Sequence, residues 1–165
     1  MEPKRRMEMK TTIYPGRYTA EVKDDFVVFI IGMRINKLTA VTKWLPVAQA
    51  MGPMIKELYQ NPEWGFLHSE YSLGWRIITL TQYWRSFDDL EAYARGERHA
   101  EAWKNFSQKI GSDGTVGIFH ESYQIKKGQC EALYSNMPKY GLGKAFEQIL
   151  ITKENQTARK RLKKV

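Results

Sequence analysis

The sequence has little of what most recognisable sites are built from. Its 165 residues include one cysteine, Cys130, which excludes a disulfide framework and any multi-cysteine zinc or iron–sulfur centre within one chain. No apolar run approaches the roughly 18–20 residues of a membrane span; the longest, Phe26–Ile31, has six. The first residues are basic but carry no apolar signal-peptide core, so a soluble, cytoplasmic protein is expected, with no membrane partner. There is no Walker A loop, no His-Glu-x-x-His, no Gly-x-Ser-x-Gly and no dinucleotide Gly-x-Gly-x-x-Gly. Gly141-Leu142-Gly143 is too short to count and opens no βαβ unit. No internal repeat is present.

What is there is aromatic and apolar. Five Trp, nine Tyr and seven Phe in a chain that is 42% hydrophobic exclude a disordered or collagen-like polymer. The length fits one domain. The formal charge of +8 resembles a nucleic-acid signal until it is located. Residues 1–10 hold a net +2 and residues 152–165 a net +5, leaving +1 on the body between them. A near-neutral body with basic ends is not the footprint of a basic binding face, so no nucleic-acid partner is expected. The ends read as frayed, solubilising tails.

Periodicity divides the chain into a basic arm (1–13), an α+β domain (14–125), an extension (126–150) that packs on the domain or a dimer mate, and a basic tail (151–165). Phe26–Ile35 is apolar on both faces, a strand buried on both sides. Tyr18–Val22 is expected to pair with it. From Trp44 a helical stripe runs through Val47, Ala48, Met51, Ile55, Leu58 and Tyr59, with Gly52-Pro53 expected to kink or break it. Gly65–Ser72 and Trp75–Arg85 read as a hairpin turning near Leu73-Gly74. Ser86 opens a second helical region with Asp89 as its capping-box partner. Beyond Gly96, His99, Trp103, Phe106 and Ile110 share one helix face, and Val116–Ile125 is a last strand. The order β-α-β-β-α-β predicts a ferredoxin-like α+β fold with both helices on one side of an antiparallel sheet. The uncovered sheet face predicts a homodimer packed sheet on sheet.

The candidate chemistry centres on the histidines. His99 should point between helix and sheet, as a general base or axial metal ligand, or as a packed helix-start histidine. His120 and Glu121 are consecutive on a strand and face opposite ways, so they form no chelate. His120 shares a face with Ile118 and Ser122, and which face meets the helices stays open. Arg34 and Arg76 are candidate partners for Glu121, which reads as catalytic or as half of an ion pair fixing the dimer. His68 reads as structural or surface, and Cys130 as a small buried residue. Met33, Met51 and Met54 would line a deformable pocket or fill a core.

Gln82–Arg95, His99-Ala-Glu-Ala-Trp103, Gly117–Tyr123 and Asn136–Gly143 resemble a monooxygenase-like family of bacteria and fungi, over about Tyr14 to Ala145. Its fungal members include enzymes of secondary metabolism. The family sits among the dimeric α+β barrels, beside antibiotic-biosynthesis monooxygenases, chlorite dismutases and haem-containing aldoxime dehydratases. The resemblance implies a homodimer and a small apolar substrate, aromatic, polyketide-like or terpenoid-like, reacting with dioxygen and no cofactor. His99 or His120 would be the base, Trp84 and Trp103 the pocket walls, and Arg34 or Arg76 the anion stabiliser. Tyr83 and Phe106 complete the expected substrate-binding set. A second implied reading places haem in the cavity with His99 or His120 as axial ligand. A third is a ligand-binding dimer with no catalysis.

Overall fold

A computed structural model describes residues 11–96, 103–104, 107–108 and 111–162. The strands are β1 (Tyr14–Glu21), β2 (Phe26–Ile35), β3 (Phe66–Gly74), β4 (Ile77–Trp84), β5 (Val116–Ile125), β6 (Tyr134–Met137) and β7 (Glu147–Leu150). The helices are α1 (Val41–Gln60), α2 (Phe87–Arg95), α3 (Leu142–Ala145) and α4 (Ala158–Leu162). Trp103, Lys104, Ser107 and Gln108 are also helical.

The main sheet has the order β3-β4-β2-β5, with every neighbour antiparallel. With α1 between β2 and β3, and α2 following β4, this is the ferredoxin-like α+β arrangement. The strand that is apolar on both faces, β2, lies centrally, where a strand loses water on both sides.

Three local expectations change. Tyr18–Val22 does not join β2, because β4 and β5 already occupy both of its edges. Instead β1 sits between β6 and β7 in a second sheet, so the extension pairs with the start of the domain. The hairpin turns at Trp75-Arg76, two residues beyond the expected site, since Gly74 pairs with Ile77. Arg76 takes a φ of 70° there, a left-handed conformation unusual for a side-chain-bearing residue. Finally, α1 runs unbroken through Gly52-Pro53 for 20 residues. Its hydrogen-bond loss at Pro53 is offset by Val47 on one side and Ile55 and Leu58 on the other, all buried against the sheet.

The helix α2 starts as expected. Ser86 accepts from the Asp89 N–H at 3.1 Å, and its hydroxyl donates back to the Asp89 carboxylate at 2.6 Å. The core forms two clusters on the helix side of the sheet. One joins Val27, Ile55, Leu58, Phe66, Leu80, Trp84 and Leu90; the other joins Met33, Ile35, Val47 and Val116. The tail does not simply fray within its described part. The Arg161 side chain is 7% exposed and paired with Glu131 at 2.6 Å.

Candidate active site

Between the helices and the main sheet lies a cavity of about 570 Å³. Strand alternation decides what faces it. Phe29, Ile31 and Met33 of β2, Ile78, Leu80 and Gln82 of β4, and Ile118, His120 and Ser122 of β5 form the floor. The roof comes from Val47, Ala48, Met51, Met54 and Ile55 of α1, Leu90, Tyr93 and Ala94 of α2, and Trp103. Since β5 is an edge strand and His120 and Ser122 are exposed, these two sit at the rim. The Phe29 ring lies 5.7 Å from that of His120.

The polar groups are few. Gln82 is 5% exposed, and its side-chain oxygen accepts from the Trp84 indole N–H at 2.9 Å. Burial and the nearby Glu57 charge push the Tyr93 phenol up to about 12, so it stays protonated and able to donate at neutral pH. Glu91 is held by Arg95 at 2.8 Å. The site is thus a mostly apolar chamber with an imidazole at its rim and an amide in its floor, the usual form of a small-molecule site.

Of the expected site residues, the structure brings His120 and Trp103 to the cavity. Glu121 lies on the opposite face, where it accepts from the Tyr123 hydroxyl at 2.5 Å rather than pairing with an arginine. Arg34 is on that same far face and bonds Asn36, whereas Arg76 sits in the β3–β4 turn. Neither arginine lines the cavity, so neither can stabilise an anion formed within it. Tyr83 also faces away, beneath the extension, where burial and the neighbouring Tyr134, Tyr140 and Glu70 push its phenol up to about 12. Trp84 points toward the helices but is fully buried in the core against Phe66 and Tyr93, so it supports Gln82 instead of forming a wall. His99 and Phe106 lie outside the described residues.

Sequence reasoning passed over Gln82, Ser122 and Tyr93. The signal for Gln82 was present: one amide among Ile78, Leu80 and Trp84 on the inward parity of β4. His68, read as structural or surface, is buried in a polar cluster away from the cavity. Its Nδ1 meets the Tyr59 hydroxyl at 2.8 Å and its Nε2 meets Glu70 at 2.9 Å. Burial, then the Glu131 charge, push the Cys130 thiol up, which disfavours a thiolate.

Among the described residues no group of three or more His, Cys, Asp or Glu could hold a metal ion. For haem, His120 is the one described imidazole on the cavity, and no described Lys or Arg lines it to meet two propionates. The described lining therefore offers a haem one imidazole and no cationic partner for its propionates. No described helix is long and apolar enough to cross a membrane.

The fold resembles that of an aldoxime dehydratase solved with butyraldoxime, at 15% identity and a TM-score of 0.62, over 75% of this chain and 38% of that one. This chain thus spans under two fifths of the dehydratase, and the likeness concerns fold alone. More distant are SnoaB, a cofactor-independent oxygenase from Streptomyces nogalater (10% identity, TM-score 0.43, 61% of this chain and 92% of that one). A dimeric protein of ferredoxin-like fold from Bacteroides fragilis stands similarly (18% identity, TM-score 0.43, 59% and 96%). No curated protein matches the chain. A family model described as monooxygenase af470-like matches residues 26–142, a span that takes in every residue lining the cavity. The chain belongs to the monooxygenase af470-like family.

Proposed function

We propose that the protein is a cytoplasmic, homodimeric monooxygenase that binds a small apolar or aromatic substrate, polyketide-like or terpenoid-like, in the helix–sheet cavity. Dioxygen is the co-substrate and no cofactor is used. The observation that carries this reading is His120, an imidazole on the rim of an otherwise largely apolar chamber. It can take a proton from an activated C–H of a bound molecule, while the dry walls exclude water. The electron-rich carbanion then reduces dioxygen and combines with it. Loss of water leaves a carbonyl, so R₂CH₂ and O₂ become R₂C=O and H₂O, with all electrons drawn from the substrate. Trp103 is a wall of the chamber, and His99 remains a second candidate base.

The homodimer is supported by the other sheet face. Ile77, Phe119 and Tyr123 stand 37%, 37% and 46% exposed there, large side chains beside Arg34 and Glu121 that a second copy would cover.

The test is dioxygen uptake with anthrone, whose methylene is acidified by its ketone. The native protein is expected to consume dioxygen, and His120→Ala to lose at least about 100-fold in rate. His99→Ala, assayed alongside, shows whether the proton goes there instead. Unchanged uptake in His120→Ala would remove His120 from the mechanism.

A further inference from the structure

Gln82 is a buried amide with one end committed. The Trp84 indole has a donor and no acceptor, so the group it meets at 2.9 Å must be the amide oxygen, which fixes which way the side chain is turned. Both residues are buried, Trp84 at 0% and Gln82 at 5% exposure, and both project from the same side of β4. The Nε2 group is left with two N–H donors. Among the described residues nothing accepts from it, and Gln82 lines the cavity. A donor held open in an apolar chamber favours a ligand that brings an acceptor oxygen to it.

We infer that Gln82, oriented by Trp84, is the specificity-determining residue of the cavity, and that it selects apolar ligands bearing a carbonyl or phenol oxygen at their buried end. The inference rests on the reading of the cavity as the substrate site. Strand register gives the length of such a ligand. Gln82 pairs with Phe29, which pairs with Ser122, and His120 lies one row along, opposite Ile31. Two strand spacings and a two-residue offset separate the Gln82 and His120 backbones by about 11–12 Å. A ligand of about three fused rings, or a terpenoid of similar length, reaches from the amide to the rim imidazole. Its oxygen is then anchored at the floor while a C–H at the far end meets His120.

The experiment compares 9-fluorenone with fluorene, two tricycles that share a carbon frame and differ in the carbonyl. Calorimetric titration of the native full chain is expected to show fluorenone bound about tenfold more tightly. Gln82→Met keeps the side-chain length and removes the donors, so it should bind the two alike. Should that variant fail to fold, Trp84→Phe tests the same point: it leaves the amide free to turn and should reduce the preference. Infrared spectra of fluorenone on the native protein give a readout independent of any variant, a lowered carbonyl stretching frequency that Gln82→Met restores to its value in apolar solvent. Binding of both tricycles with equal affinity, or a preference that survives Gln82→Met, overturns the role of Gln82 and leaves the cavity reading standing. Binding of neither overturns the cavity reading itself, and the inference with it.

Discussion

Gly32 sits on the central strand where the Phe119 ring crosses from β5. A Cβ built there would come within 2.4 Å of that ring and 2.9 Å of the Ile78 carbonyl oxygen. The ring can swing away, but the carbonyl belongs to the β2–β4 ladder and cannot. Gly32→Ala is therefore expected to destabilise the fold by about 1–3 kcal/mol, read as a lower urea midpoint with an unchanged slope. An unchanged midpoint would mean that the Ile78 carbonyl does not crowd this position. At this scale the sequence was informative about parity and silent about direction. Alternation separates His120 from Glu121 without any structure. Which of them meets the helices could not be read, because β2 is apolar on both faces and gives no inward side. Trp84 shows the complementary failure. A tryptophan on a strand looks the same as wall or as core, and Leu90 and Tyr93 arriving from α2 make it core.

Glu70 joins three elements. On β3 it accepts from His68 Nε2 at 2.9 Å, and from α3 and its preceding turn it receives the Gly141 N–H at 3.1 Å and Lys144 at 3.2 Å. Burial pushes its carboxyl up, but the His68, Gly141 and Lys144 contacts outweigh this and hold it below the ordinary 4.5. A carboxyl depressed in the folded state stabilises the fold above its unfolded value, and that contribution fades as pH falls from about 4.5 through the lower folded value. Glu70→Gln should therefore melt earlier than the parent at pH 7, with the gap narrowing below pH 4.5. A gap independent of pH would show that the carboxylate does not fasten the extension to the sheet.

The elements themselves differ in how much of them was legible. The start of α2 was readable from Ser86 and Asp89 because capping is a local exchange of hydrogen bonds. The partners of β1 were not, since they depend on which sheet edges remain free once β4 and β5 have flanked β2. Likewise, Gly52-Pro53 signals a break locally, and only packing along the sheet carries α1 across it.

On the scale of the molecule, the chain separates its surfaces by chemistry. Net charge is concentrated toward its two ends, the far sheet face carries half-exposed Ile77, Phe119 and Tyr123 beside Arg34 and Glu121, and the helix side holds a mostly apolar chamber. Two core clusters flank that chamber, and flexible Met51 and Met54 on its roof let it adapt to a guest. The fold was legible because periodicity and element order reflect burial, which repeats along the chain. The chamber was legible only in part. It depends on where packing stops, and the methionines and aromatics that line it are the same residues that would fill it.

Binding of a small apolar molecule in this chamber, as proposed, is read at the methionine methyl groups. Met33, Met51 and Met54 line the cavity, whereas Met137 lies in β6 and does not. In protein carrying ¹³C-methyl methionine, titration with 9-fluorenone is expected to shift the Met33, Met51 and Met54 resonances through the ring current and leave Met137 in place. Shifts at Met137 alone, or none at the three cavity methionines under saturating ligand, would show that the chamber does not hold the ligand.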